Sequence, residues 1–328
     1  MTTTTIVDAE HRESTGTDHE NSGASVREGY PEERRMVRFD WADTPLHWVP
    51  DDPFSTHMVN VLHLLLPAGE RWFIGVVNEA APFVTDPEVS EAIKPFVQQE
   101  SWHAWAHGVV LDHLAEYGID STPFTSQLER WFAKTGSPKP HWPEPLQRWW
   151  LHRRLADVAA IEHFTAVLGQ WVIQTHGLDY AGANPVMLDL LRWHGAEEVE
   201  HRALVFDVFQ DVSGSYLVRS LSMLFVAPAL LTWWLKGVRY LMEHDPTVDR
   251  RPRWRDWLRA ARQYRVPSPW MLIVTTPLRY LRPSHHPRVE ASTEMAMDYL
   301  AHSPAAARAR DAARGSGGEP SGGNEESS

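Results

Sequence analysis

Apolar residues recur along this chain at the three-and-four spacing of helix faces and nowhere sustain the alternation of a half-buried strand. An apolar run at 57–66 stops at Pro67, which predicts a fresh helix over about 68–81. Asp86-Pro87-Glu88 combines a capping side chain with a first-turn proline and predicts a helix over 86–118, kinked at Pro95. Between 119 and 145, Pro123, Gly136, Pro138, Pro140, Pro143 and Pro145 predict a connection. A third helix follows at 146–176, ended by Gly177, and Asn184-Pro185 starts a fourth at 185–212 that Ser213-Gly214 closes. An apolar helix at 216–243 and further helical stretches within 254–302 complete an all-α domain spanning 37–302. The polar segments 1–36 and 303–328 read as disordered tails.

Composition narrows the chemistry. The 328 residues contain no cysteine, so any metal must sit on imidazole and carboxylate. Histidines number 18, and they cluster beside glutamates at helical spacing. A formal net charge of -12 argues against a nucleic-acid partner, which requires a concentrated basic face. The polar, acidic N-terminus lacks a secretory pattern, and the expectation is a cytoplasmic protein. The apolar stretch Leu217 to Leu235 is interrupted by Arg219 and Pro228, with an unbroken part shorter than the roughly 20 residues a bilayer crossing needs. A buried helix is expected there. The arginines and tryptophans of 250–265 offer the alternative of peripheral membrane contact through 216–265.

Two constellations carry the candidate chemistry. Positions four and then three apart share a helix face, so His194, Glu198 and His201 project together. Glu100 and His103 repeat the Glu-x-x-His step on an earlier helix, and Glu70 and Glu162 supply a carboxylate on each of the two remaining helices. Two Glu-x-x-His turns facing two lone glutamates are the ligand set of a ferritin-like four-helix bundle holding two metal ions. Four carboxylates in a helical interior would repel unless cations offset them, and two divalent ions balance four carboxylates. Glu79, close to Pro82, is the weaker choice for the first-helix carboxylate and a candidate neighbour of the site. His107 lies one turn beyond His103 as a further neighbour or ligand. Glu197 and Glu200 flank Glu198 as partners for Arg192 or Arg202, or as acceptors that orient an imidazole.

The pieces Gly69-Glu70-Arg71-Trp72-Phe73, Gln99-Glu100-x-x-His103-x-x-x-His107, Glu162-His163, Trp193-His194-x-x-x-Glu198-x-x-His201 and Arg282-Pro283-x-x-His286-Pro287 resemble a bacterial family described as predicted metal-dependent hydrolases, within the ferritin-like superfamily. The ligand pattern is also similar to that of the di-iron arylamine (p-aminobenzoate) N-oxygenases. That likeness implies two iron ions activating O₂, with an electron donor, to oxidise a small organic substrate. With zinc or manganese the same pair implies hydrolysis of an ester, amide or phosphoester by a hydroxide held between the metals. Of the two, oxidation is the leading expectation and hydrolysis the alternative, with non-catalytic metal binding or storage as a third.

Overall fold

Asp52 begins the first helix. Its carboxylate accepts the backbone N–H of Ser55 at 3.1 Å and the Ser55 hydroxyl at 2.8 Å, and Pro53 fills the position where a missing N–H matters least. The computed structural model describes residues 30–31, 34–268 and 270–316. In it this helix, α1, runs unbroken from Pro53 to Ala80. The expected stop at Pro67 does not occur. Pro67 removes one helical hydrogen bond, the one to the carbonyl of His63, but buried residues on both sides, from Phe54 to Val77, hold the helix on its neighbours.

The second helix, α2 (Pro87–Glu116), starts as expected, with Asp86 accepting the N–H of Glu88 at 2.9 Å, and it passes Pro95 without a break. The proline-rich connection holds an unforeseen helix, α3 (Thr122–Gly136), whose Phe124, Leu128, Trp131 and Phe132 recur at helical spacing. The prolines flank α3 or sit in its first turn, where they are tolerated. α4 (Glu144–Gln174) ends in an extended Thr175, and Gly177 opens a short turn of helix, α5 (Gly177–Tyr180), instead of capping α4. Asn184 caps α6 (Pro185–His201) by accepting from Val186 and Met187. The expected continuation to 212 is interrupted at Arg202-Ala203, after which α7 spans Leu204–Val212. Buried Arg202 donates to the carbonyls of Val199, Pro287 and Arg288, taking over an acceptor that the next helical turn would have used.

Among the described residues there is no strand, and the protein is all-α. α1 packs against α2, α4 against α6, α1 also against α4, and α2 meets α6, so the four helices that carry the candidate ligands form a bundle. α4 and α6 cross at two glycines. A Cβ on Gly169 would stand 2.3 Å from the Gly195 carbonyl oxygen, and one on Gly195 would stand 2.8 Å from the Gly169 Cα. This close approach brings His194 and Glu198 against α4.

α8 (Tyr216–His244) lies across α1 and α4. By length and composition it could cross a membrane, yet it is partly buried here, with Arg219 inside the protein donating to the carbonyl of Arg282 at 2.8 Å. Beyond it come α9 (Trp254–Gln263), α10 (Thr276–Tyr280) and α11 (Thr293–His302), followed by α12 (Pro304–Ser316) in a region expected to be disordered. The remaining expectation of disorder, on 1–29, 32–33 and 317–328, lies outside the described residues.

The ordered body also starts earlier than 37. Tyr30 is buried, and its hydroxyl donates to Asp207 at 2.8 Å, beside His286 at 2.8 Å and Arg288 at 2.6 Å on the same carboxylate. Burial pushes the Asp207 carboxyl up, but the hydrogen bonds from His286 and Tyr30 and the Arg288 charge hold it below the usual carboxylate range. A depressed folded value means stability that is present above the unfolded pKa and lost as pH falls through the folded one. Asp207→Asn is therefore expected to lower stability at pH 7 by about 1.5–3 kcal/mol. The wild-type advantage should shrink in melting curves taken below about pH 4.

Candidate metal centre

Helical period alone sets the face that α6 presents. His194, Glu198 and His201 share one face of α6, with Nε2 of His194 2.7 Å and Nε2 of His201 3.9 Å from the same Glu198 oxygen. From α2, Nδ1 of His103 stands 3.5 Å from Glu100 and 3.6 Å from Glu198. Glu70 on α1 reaches within 3.6 Å of His194, and Glu162 on α4 lies 3.2 Å from Nδ1 of His201. Nε2 of His201 is 3.1 Å from Glu100. All seven side chains are buried.

These atoms fall into two overlapping groups of metal-ligand size, Glu70, His103, His194 and Glu198 in one, and Glu100, His103, Glu198 and His201 in the other. Glu198 and His103 belong to both. Glu162 enters neither directly and adjoins the second through His201.

The donor set fits cations. Both oxygens of Glu70, Glu100 and Glu162, one of Glu198, Nδ1 of His103 and both nitrogens of His201 are buried with no well-formed hydrogen bond. Buried polar atoms are nearly always satisfied, so such a concentration of unpaired donors and acceptors marks a place built for something else. In the protein alone, these buried groups shift one another's proton affinities in opposite directions. Burial, with Glu100 adjacent, pushes the Glu70 carboxyl well above the usual range, and burial beside Glu198 pushes Glu162 up to about 8. Glu100 and Glu198 are held low in spite of burial, by His103 and His201 against Glu100 and by His201 and His194 against Glu198. His103 and His201 are raised well above the usual imidazole range despite burial, by Glu100 and Glu197 at the one and Glu198, Glu100 and Glu162 at the other. Cations would displace protons from the raised groups.

A surrounding layer aims the imidazoles. Nε2 of His103 donates to Glu197 at 2.8 Å, which leaves Nδ1 facing the cluster. Glu197 is itself held by the Trp193 indole N–H at 3.1 Å and by Arg35 at 3.0 Å, and Arg35 also takes Glu200 at 2.7 Å. Of the expected partners of the two glutamates, Arg192 is engaged elsewhere, on Asp179 and the carbonyls of Val172 and Thr175. His107 is not among the grouped ligands. Its Nε2 hydrogen-bonds Nδ1 of His194, and its Nδ1 meets Nδ1 of His63 at 2.6 Å. Burial first, then neighbouring imidazoles, hold His63 at about 3 and His107 well below the usual range, so both rings are neutral. If Nε2 of His194 faces a cation, its Nδ1 carries the hydrogen and the chain of donors runs outward to His63. Edge-on rings close the centre, Phe96 on His201 and Trp193 on His103.

Glu79 is not part of this layer. It makes a two-pronged pair with buried Arg154 at 2.6 and 2.9 Å, nine residues beyond Glu70 and about 13.5 Å further along the helix. Among the described residues, two other clusters have metal-ligand types, and in each the carboxylate is already paired within the protein. Asp245 accepts from His47 at 2.6 Å and His57 at 2.7 Å, and Glu290 of the His163, His285 cluster is paired with Arg279.

The match that bears on function is to a family model described as predicted metal-dependent hydrolase, over residues 33–291. The chain belongs to that family. No curated protein and no solved structure matches it. The metal-dependent hydrolase match begins two residues before Arg35 and ends one past Glu290, so it takes in all seven clustered side chains and the layer behind them. Metal dependence and the buried His/Glu groups fit two metal ions. The family description is hydrolytic. It favours hydrolysis over the oxygen-activating expectation, whose likeness to the N-oxygenases rests on ligand spacing alone.

Glu197 is the residue behind the cluster whose replacement is most informative. Glu197→Gln keeps the shape of the side chain and removes its charge between Arg35 and His103. The expected outcome is a 10–100-fold weaker metal affinity with the fold intact. Titration with Zn²⁺ monitored by a competing chelator, beside circular dichroism, checks it.

Proposed function

We propose that this chain is a hydrolase that uses two divalent cations, of zinc, manganese or iron, held by Glu70, Glu100, His103, Glu162, His194, Glu198 and His201. The observation that carries the proposal is the pair of overlapping donor groups in which both oxygens of Glu70 and Glu100, one of Glu198, Nδ1 of His103 and both nitrogens of His201 lack a protein hydrogen bond, in a chain of the metal-dependent hydrolase family. Cations bound there would supply Lewis acidity, polarising a carbonyl or phosphoryl group and lowering the pKa of water.

The protein's own contribution is positioning and exclusion. Glu197 fixes which nitrogen His103 offers, and His107 does the same for His194. Trp193 and Phe96 keep bulk water from the imidazoles they cover. The Gly169–Gly195 crossing sets the distance of the α6 ligands from α4.

Protein stripped with a chelator and reloaded separately with Zn²⁺, Mn²⁺ or Fe²⁺ tests the reading against nitrophenyl esters, nitroanilides and bis-nitrophenyl phosphate. Metal-dependent cleavage of one class is expected. Absence of metal-dependent cleavage in all three, with metal bound, would count against hydrolysis.

A further inference from the structure

An apolar cavity of about 50 Å³ reaches the centre, and His194 and Glu198 form part of its wall. A second, of about 80 Å³, lies under α8. The two share Leu62, Leu66, Thr165, Leu168 and Trp234 as lining, so they adjoin as two compartments divided only by those side chains. Thr165 turns its hydroxyl back to the Glu162 carbonyl at 3.0 Å, which leaves the common wall without a competing polar group from that residue. The indole N–H of buried Trp234 has no acceptor in the protein.

A sealed core packs to crystal-like density, and a void of this size beside a polar centre forfeits contacts the fold could have kept. Together the compartments approach the roughly 150 Å³ at which a dry apolar cavity takes up benzene. The polar end of the space is the His194–Glu198 edge of the cation site, and the rest is hydrocarbon and indole.

From this geometry we infer a substrate class: an acyl compound, ester or amide, whose acyl part is an apolar chain or ring of about six carbons seated beneath α8 with its carbonyl at the His194–Glu198 edge. The inference rests on the hydrolytic reading above and deepens it. The reaction balances with water alone. The water oxygen bonds to the acyl carbon, the bond from that carbon to the leaving oxygen or nitrogen breaks, and a water proton passes to the leaving group.

Two readouts separate the cavity from the chemistry. Binding of 1-hexanol to the full chain is followed by ligand-observed NMR, and hydrolysis is followed across nitrophenyl acetate, butanoate, hexanoate and decanoate with the metal-loaded protein. Hexanol binding and a kcat/KM for hexanoate at least ~10-fold above acetate are expected, since a methylene in an apolar pocket is worth ~10–200-fold. Leu168→Trp, which fills the shared wall, should abolish hexanol binding and reverse the chain-length preference. Leu62→Phe makes the same test from α1 should the first variant fail to fold. Hexanol binding blocked by these variants, with neither these esters nor the nitroanilides and bis-nitrophenyl phosphate cleaved by metal-loaded protein, would uphold the cavity assignment and remove the hydrolytic reading. Cleavage with no chain-length preference and no hexanol binding would overturn the assignment and leave the hydrolytic reading standing.

Discussion

Glu198→Ala is expected to empty both cation positions at once. Glu198 belongs to both donor groups, and the oxygen nearest His194 also faces His103 and His201. Removing it deletes the shared carboxylate and leaves three histidines with less negative charge to face. Glu70→Ala touches only the first group, and Glu100, His103, Glu198 and His201 remain for the other ion. Elemental analysis after dialysis against excess Zn²⁺ should therefore read close to two ions per chain for wild type, close to one for Glu70→Ala and well below one for Glu198→Ala. Equal losses from the two variants would mean that the groups do not act as two overlapping sites.

The second large effect is expected from a residue with no polar atom in its side chain. A Cβ at Gly195 would meet the Gly169 Cα and Val172 Cγ1, each at 2.8 Å, and neither a backbone atom nor a packed branched side chain can yield easily. Gly195→Val must push α6 off α4, carrying His194 and Glu198 with it. Overpacking of this kind costs about 3 kcal/mol or more. In a domain of this size that corresponds to a Tm fall of roughly 6–12 °C. Metal content should fall with it. Gly108→Ala is the control, because a Cβ there meets nothing within 4 Å and alanine is the better helix former. A Gly195→Val protein with unchanged Tm and full metal content would show that the crossing does not position the centre.

The shared face of His194, Glu198 and His201 on α6 was legible because helical period converts spacing directly into shared direction, and the same holds for Glu100 and His103 on α2. Bringing four helices together needed only the charge argument, since four buried carboxylates have to face a compensating charge. What escaped was set by tertiary structure. His63 lies seven residues before Glu70, two turns along the same helix, but reading Pro67 as a stop hid that relation. Arg35 sits in a segment whose composition reads as a polar tail, and only its contacts with Glu197 and Glu200 show it to be part of the body. α3 was concealed by prolines that flank it or sit in its first turn. Which nitrogen each histidine offers depends on partners from other helices, so Glu197 could be suspected as an orienting acceptor while its target, His103, could not be named. The interruption after His201 follows from where Arg202 finds its carbonyls, more than eighty residues along the chain.

Anomalous diffraction from crystals of the metal-loaded protein, recorded on either side of the metal absorption edge, tests the central claim most directly. Two peaks are predicted inside the bundle, flanking Glu198, one on the side of Glu70 and His194 and the other on the side of Glu100 and His201. No anomalous density among these seven side chains in protein that carries metal elsewhere would contradict it.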